Sequence, residues 1–599
     1  MSRASAASEE RVKRRTPVSS TARTTRRRMP NAEIARLLRE VAELLELESA
    51  NTFRVRAYSN AARVIEELPE AAATLSPERL HELPGIGDDL AGKIAEIAAT
   101  GSLKLLRDLH REVPHAAVEL LRVPGIGPKR ARTLVDTLGI RSMAGLARAA
   151  RAGKLKTLAG FGAAIEKKIA GELAARRGEE KRILRATAAQ YGEALLEHMR
   201  ALPGVRRAEL AGSFRRGRET VGDLDLLVES SRGVEVSERF VKYPEVRAVL
   251  AKGPTRASVR LASGLQVDLR VLPAESYGAG LYYFTGSKAH NIAVRKMGRQ
   301  RGLKINEYGV FKGKRSIGGR REQDVFDAVG LPWIPPELRE DRGEIEAAGR
   351  GKLPKLVEYG DMRGDLQMHS TDSDGRDSLD AMAEAAQELG YEYIAITDHT
   401  PMLRIVNGLD RARFLRQRKR IDRLNARLRK LTVLAGAEVD IRADGSLDLD
   451  DETLESLDIV LVSLHSKFDL PKAGQTERIL RAIRHPAVDI VAHPTGRLIG
   501  QRRGAAFDLE RVAGAAADHG VMLEVNAQPT RLDLDDISCR AAIALGVTIT
   551  ISTDAHSRDE LRNMRWGVDQ ARRGWAAKGD VANTRPLKAL LKLLHKGRR

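Results

Sequence analysis

Gly212-Ser213-Phe214-Arg215-Arg216-Gly217, followed closely by Gly222-Asp223-Leu224-Asp225, decides how this chain is read. The order implies a strand end, a glycine turn that cradles phosphate, and then a strand that carries two carboxylates. Successive strand residues point to opposite faces, so Asp223 and Asp225 share one. A hard, oxygen-rich pair of this kind suits Mg²⁺. A third carboxylate, Asp268, sits in the alternating run Leu265-Gln-Val-Asp-Leu-Arg-Val271, which reads as a neighbouring strand. Three carboxylates on adjacent strands can hold two metal ions, the arrangement for in-line phosphoryl transfer.

Working outward, the 599 residues are enough for several domains, and 42% hydrophobic with 31% charged residues is a globular composition. No stretch approaches the roughly 20 apolar residues of a membrane span. A formal net charge of +21 favours a polyanionic partner, nucleic acid first. The single cysteine, Cys539, excludes an internal disulfide framework and cysteine-based zinc fingers, and fits a reducing cytosol. Any further metal would rest on His and carboxylate. Residues 1–30 are rich in Arg, Ser and Thr and poor in apolar groups, so a disordered basic tail is expected.

From residue 31 to 178 apolar residues recur at helix spacing, as in Leu37, Leu38, Val41, Leu44 and Leu45. Two segments repeat one pattern: Leu83-Pro-Gly-Ile-Gly87 and Val123-Pro-Gly-Ile-Gly127, each opening a helix, with a weaker copy at Leu158-Ala-Gly-Phe-Gly162. Gly85, Gly87, Gly125 and Gly127 let backbone approach a phosphate, and the helix N-terminus behind them offers free N–H groups. Lys129 and Arg130 add charge. The pattern resembles the helix-hairpin-helix motif, which grips the DNA backbone without reading sequence. It divides the helical region into a first DNA-binding domain with one copy (31–110) and a second helix-hairpin-helix region (111–178).

Residues 179–330 alternate helix and strand, and the Pro-, Gly- and charge-rich stretch 331–360 reads as a linker. From 361 to 575 short apolar runs such as Ile394–Thr397, Ile459–Val462 and Val547–Ile551 alternate with helical segments, the rhythm of a mainly parallel α/β barrel. Polar residues gather just past the strand ends: His369, Asp374, His399, Glu438, His465, His493, Asp554 and His556. Imidazole with carboxylate suits Zn²⁺, Mn²⁺ or Fe, and a cluster drawn from many strand ends suggests several ions bridging a phosphate. Residues 576–599 read as a basic tail.

Residues 31–330 resemble the family X DNA polymerases, the group that contains DNA polymerase beta. The resemblance is carried by Gly212-Ser-Phe-Arg-Arg-Gly217, Asp223, Asp225, Asp268, Leu281-Tyr-Tyr-Phe-Thr-Gly-Ser287 and Ile305-Asn-Glu-Tyr308. It implies an α/β nucleotidyltransferase core in which the three aspartates bind two Mg²⁺ or Mn²⁺ and Asp268 assists deprotonation of the primer 3′-OH. Gly212, Ser213, Arg216 and Gly222 would surround the triphosphate. Tyr283, Phe284 and Gly286 would flank the incoming sugar, with Asn291 near the base edge and Arg295 near the template. Unaided, Tyr-Tyr-Phe-Thr-Gly-Ser reads as a strand leading into a turn. Val221 and Gln266 depart from the beta-type pattern, which has a hydroxyl and an arginine there. Lys93 falls at the lyase nucleophile of the beta-type enzyme, but Asp88 and Asp89 work against the lowered pKa that role needs, so a solvated helix lysine is the competing reading.

Residues 361–575 resemble the PHP (polymerase and histidinol phosphatase) domain, whose members bind up to three ions and hydrolyse phosphoesters. The family pattern opens His-x-His; here it is Gln367-Met368-His369. Together the resemblances imply a cytoplasmic, nucleoid-associated, monomeric repair enzyme. It would act on gapped or primed DNA and dNTPs, with a 3′–5′ exonuclease that extends to abasic or 3′-blocked ends. A DNA-binding scaffold with a decayed PHP site, and a nontemplated nucleotidyltransferase joined to a phosphatase, are the alternatives.

Overall fold

The computed structural model describes residues 29, 31–47, 51–68, 71–112, 120, 126, 128–140, 142–158, 161–162, 165–166, 169, 182–402 and 406–595. Gly125, Gly127 and the tail 1–28 lie outside them, as does the side chain of Lys129.

The amphipathic helix Asn31–Leu47 packs along Thr52–Glu67, and Pro77–His81, Asp88–Thr100 and Lys104–Glu112 complete the first helical unit. Ile34, Leu38, Val41 and Leu44 lie at i, i+4, i+7 and i+10 and are fully buried, the single stripe that a surface helix turns to its core. Pro128–Leu138 and Met143–Arg151 continue the same hydrophobic cluster.

A five-stranded sheet follows, in the order Arg207–Leu210, Asp223–Glu229, Gln266–Leu272, Arg256–Leu261, Val246–Lys252. Only the second and third strands of that order pair in parallel, with Asp225 directly opposite Asp268 and Asp223 opposite Gln266. Leu224, Leu226, Val267, Leu269 and Val271 enter the core beneath helix Arg185–Arg200. The alternate residues are thereby left on the open face.

The aromatic run expected as a strand belongs to helix Tyr277–Thr285. Aromatic residues carry strand propensity, but here close packing overrides it. A Cβ at Gly278 would lie 2.2 Å from the Arg321 backbone, and one at Gly280 would lie 2.1 Å from Leu272 Cδ1. The expected linker is also corrected. Leu331, Ile334, Leu338, Ile345, Ala348 and Leu356 join Tyr282, Val294 and Phe326 in one core cluster. Arg339 is fully buried there, bonded to the Ile334 carbonyl at 2.8 Å and to Glu322 at 2.8 Å.

The last unit is a seven-stranded parallel sheet whose strands neighbour one another in chain order, from Gly364–Asp365 to Ile549–Ser552. A parallel bridge between Met368 and Ala555, with bonds from His369 N to Ala555 O (2.8 Å) and Asp554 N to Gln367 O (3.0 Å), brings first and last strands together into a nearly closed barrel. Residues 576–595 are not a tail. Val581, Ala582, Leu590 and Leu594 are buried, Asn583 bonds Gly364 O and Ile551 O, and His595 pairs with Asp489 at 2.8 Å. Their basic neighbours disguise the apolar spacing. Residues 596–599 fall outside the described part.

Candidate active sites

In the sheet, the turn before the second strand sets the geometry. Gly212 has φ +61°, and a Cβ there would sit 2.3 Å from Asp225 Oδ2, so the loop Gly212–Gly217 closes directly over the acid. Burial first, then Asp223 and Asp268, push the Asp225 carboxyl up to about 7. Asp268 accepts from Ser258 Oγ and, at 3.3 Å on each oxygen, from Gln266 Nε2. The glutamine that departs from the family pattern therefore still orients the third aspartate. Mutual repulsion among three close carboxylates is what a divalent cation relieves, and an all-oxygen donor set fits Mg²⁺ or Mn²⁺.

Around this triad, Arg216 Nε bonds Glu340 at 3.0 Å and Nη1 bonds the Thr285 carbonyl at 2.8 Å. Arg215 forms a two-pronged pair with Glu322 at 2.7 and 2.9 Å. Asn291 Nδ2 donates to the Tyr283 carbonyl at 2.6 Å, and a Cβ at Gly286 would meet Asn291 Oδ1 at 2.7 Å. Tyr283 and Phe284 stand edge to face with centroids 5.2 Å apart. Ser213 and Gly222 border the same face half-buried, and Arg295 is exposed on helix Lys288–Gln300.

At the barrel's C-terminal rim Glu438 is the hub. Its Oε1 lies 2.9 Å from His493 Nε2 and 3.1 Å from His465 Nε2; its Oε2 lies 2.9 Å from Gln367 Nε2 and 3.3 Å from His369 Nε2. His369 also reaches Asp554 at 3.1 Å and Asp374 at 3.8 Å, and His556 reaches Asp374 at 3.3 Å. Three groups have ligand atoms all within 4.8 Å of one another: His369, Asp374, His399 and His556; His399, Glu438 and His465; His369, Glu438 and Asp554. His369 stacks on His399 and His556 at 4.5 and 4.4 Å. Gln367 Oε1 and the Nδ1 atoms of His369, His399 and His493 are buried without a hydrogen-bond partner. Orphaned donor atoms in a carboxylate–imidazole cage fit metal binding. Burial holds His399 down at about 3, whereas at His369, His465 and His556 burial is outweighed by Asp554, Glu438 and Asp374, which hold those imidazoles above their ordinary value, so metal binding there must displace protons. His493 at φ +27° and Asp554 at φ +52° hold backbone conformations that cluster at functional sites.

Comparison with known proteins agrees with both halves. Residues 182–254 match the DNA polymerase beta palm and 280–340 the DNA polymerase beta thumb. Residues 29–103 match a helix-hairpin-helix domain, 117–175 a SAM-like helix-hairpin-helix tandem and 365–528 the PHP domain. The chain is 38% identical to the DNA polymerase/3′-5′ exonuclease PolX of Bacillus subtilis (strain 168), over 94% of this chain and 98% of that one. The chain belongs to the PHP-containing family X DNA polymerases. It is also 26% identical to DNA polymerase lambda of Arabidopsis thaliana over 47% of this chain and 57% of that one. A probable phosphatase of Thermoanaerobacter sp. (strain X514) is 30% identical over 29% of this chain and 70% of that one.

In this family X chain the first hairpin presents bare backbone. Gly85 has φ +73°, Gly87 caps helix Asp88–Thr100, and a Cβ on either would meet nothing within 4 Å. Arg130 lies over the Phe161 ring at 5.9 Å. Lys93 is ion-paired with Asp89 and lies 5.4 Å from the Tyr58 ring centre. Burial works to lower its pKa, but Asp89 and Tyr58 outweigh it and hold the ammonium above its ordinary value.

Sequence reasoning passed over several buried groups that orient the candidate metal-binding side chains of the barrel. Asp440 accepts from His465 Nδ1 at 3.0 Å, and Glu524 accepts from the His493 amide at 2.7 Å. Asp398 bonds Ser370 N at 2.8 Å and Ser370 Oγ at 2.6 Å, fixing the turn that carries Asp374. Such outer partners set ligand orientation. Asp398 and Asp440 each lie within two positions of a chosen ligand, the one signal available. Arg531 stands 3.6 Å from Asp554, a cation beside the ligand cage.

Proposed function

We propose that this enzyme fills short gaps in DNA by template-directed nucleotidyl transfer at Asp223, Asp225 and Asp268, and trims 3′ ends at the PHP centre. The observation that carries the first half is the register of Asp225 on Asp268 beneath the Gly212 turn. Divalent ions, Mg²⁺ or Mn²⁺ at the triad and Zn²⁺, Mn²⁺ or Fe at the PHP cage, supply charge neutralisation and activation of the attacking oxygen.

The chain's own residues do the rest. Arg216 and Ser213 hold the triphosphate, the arginine through charge-assisted bonds. Tyr283 and Phe284 wall off the sugar, leaving no room for a 2′-OH, while Asn291 and Arg295 face base and template. Asp268 takes the proton of the primer 3′-OH. In the barrel, Glu438 with the surrounding histidines, Asp374 and Asp554 form the cage, and Arg531 faces the phosphate to be cut. Gly85 and Gly87, with the second hairpin's Gly125, Gly127, Lys129 and Arg130, grip the backbone beside the gap. No helix among the described residues is long and apolar enough to cross a membrane. A monomer working on nucleoid DNA in the cytoplasm completes the proposal.

The test is incubation with 5′-labelled, one-nucleotide-gapped DNA in Mn²⁺, with and without dNTPs. Extension with dNTPs and shortening without them is expected. Extension alone would remove the nuclease half. Neither, from folded protein that binds the DNA, would leave a scaffold.

A further inference from the structure

The loop Gly212–Gly217 is not held by the catalytic sheet alone. Its outer side lies against helix Met564–Arg573 of the PHP domain. Phe214 packs on a cluster of Ala189, Leu532 and Trp566. Arg185 sits over both rings, 5.5 Å from Phe214 and 4.9 Å from Trp566, and pairs with Asp569. A Cβ at Gly217 would meet Arg573 Cδ at 3.4 Å and Arg185 Nη1 at 3.3 Å. Arg573, its side chain 2% exposed, donates to the Arg216 carbonyl at 2.7 Å and pairs with Glu340 at 3.0 Å and Asp536 at 2.6 Å. Glu340 is the same carboxylate that holds Arg216 Nε at 3.0 Å. Asp536 is shared in turn with Arg342 at 2.9 Å.

We infer that Arg573, a residue of the nuclease domain, is a positioning residue for nucleotidyl transfer. It anchors the Arg216 backbone and, by sharing the Glu340 carboxylate, leaves the Arg216 guanidinium charge for the incoming triphosphate. The inference rests on the reading of Arg216 as a triphosphate ligand. The charge pattern explains why the second arginine is needed. Glu340 facing Arg216 alone would neutralise it and compete with the nucleotide. With Arg573 and Arg342 included, three guanidiniums oppose two carboxylates, Arg218 adds a further cation facing Glu340, and the cluster stays net positive toward the ligand. Arg216 spends Nε on Glu340 and Nη1 on Thr285 O, and neither bond uses Nη2.

The experiment is steady-state single-nucleotide gap filling by the full-length protein, with exonuclease rate and thermal unfolding measured on the same preparations. Arg573→Gln is expected to raise the dNTP KM about tenfold with kcat little changed. Arg573→Lys, which keeps the charge but not the planar fork, should recover part of the loss. The double variant Arg573→Gln with Glu340→Gln removes the competing carboxylate too, so its KM should return toward that of the parent. A merely structural role predicts instead that the double variant is worse than either single one, and that result overturns the inference. So does an unchanged KM in a folded Arg573→Gln protein that still cuts DNA. Arg216→Ala separates the two failures. If it leaves the dNTP KM unchanged, the reading of Arg216 is wrong. If it raises KM while Arg573→Gln does not, the positioning role alone is wrong.

Discussion

Gly212→Ala probes the catalytic geometry most sharply. The residue holds φ +61°, where a side chain costs about 1–2 kcal/mol. The added Cβ would also lie 2.3 Å from Asp225 Oδ2. Ordinary contact starts near 3.4 Å, so the carboxylate must retreat by about 1 Å, a displacement that costs about a hundredfold in rate when the group is part of a reacting constellation. Gly264 supplies the matched control. Its φ is +86°, in the turn between strands Arg256–Leu261 and Gln266–Leu272, and a Cβ there meets nothing within 4 Å. Gly264→Ala carries comparable backbone strain without touching the triad. Single-turnover extension of a one-nucleotide gap, with the PHP exonuclease as internal standard and melting temperature as a check, compares the two. Gly212→Ala should lose about a hundredfold in extension and keep the nuclease, whereas Gly264→Ala should lose stability only. Equal extension rates in the two variants would refute the contact argument.

Four further outcomes are expected. Asp225→Asn should abolish extension and spare the nuclease, and His399→Ala should do the reverse, each by on the order of 10³-fold; one change that destroyed both activities in a folded protein would count against separate sites. Gln367→His replaces an amide that now bonds Glu438 with an imidazole, and elemental analysis after dialysis against Mn²⁺ or Zn²⁺ should show more metal per chain; equal content would argue that Gln367 does not limit the cage. Lys93, held protonated beside Asp89, should give no borohydride-trapped adduct with abasic DNA near neutral pH, and a trapped adduct lost in Lys93→Ala would reverse that reading. Burial raises the Glu322 carboxyl, but Arg339 and Arg215 outweigh it and hold it at about 2 against an ordinary 4.5. A depressed carboxylate stabilises the fold above its unfolded pKa. That contribution, about 3 kcal/mol, should fade as pH falls from about 4.5 towards 2. An acid-unfolding midpoint that does not move in Glu322→Gln would refute it.

The aspartate triad was legible because strand period alone puts Asp223 and Asp225 on one face, and the alternation around Asp268 marks its strand. The barrel was legible from short apolar runs that alternate with helical segments, and its candidate site from the His and Asp residues just past them. The stretch after Leu331 was not. Its prolines and charges are those of a linker, while the apolar residues between them meet partners more than 30 positions away, such as Val294. The chain end misled in the same way, since Leu590 and Leu594 lie among lysines. Helix Tyr277–Thr285 was hidden because Gly278 and Gly280 reveal their purpose only when Arg321 and Leu272 are in place. Asp440 and Glu524 act through contacts that composition cannot display.

The near-closure of the barrel gives the PHP cage a second consequence. Its seam runs through Met368–Ala555, and the cage residues His369 and Asp554 stand one on each side of it. An ion held by both would be a clasp across the place where the cylinder's first and last staves meet. Metal loading would then add stability to a seam already joined by backbone bonds, and the melting transition should climb with free metal concentration and fall with a chelator, as mass action requires.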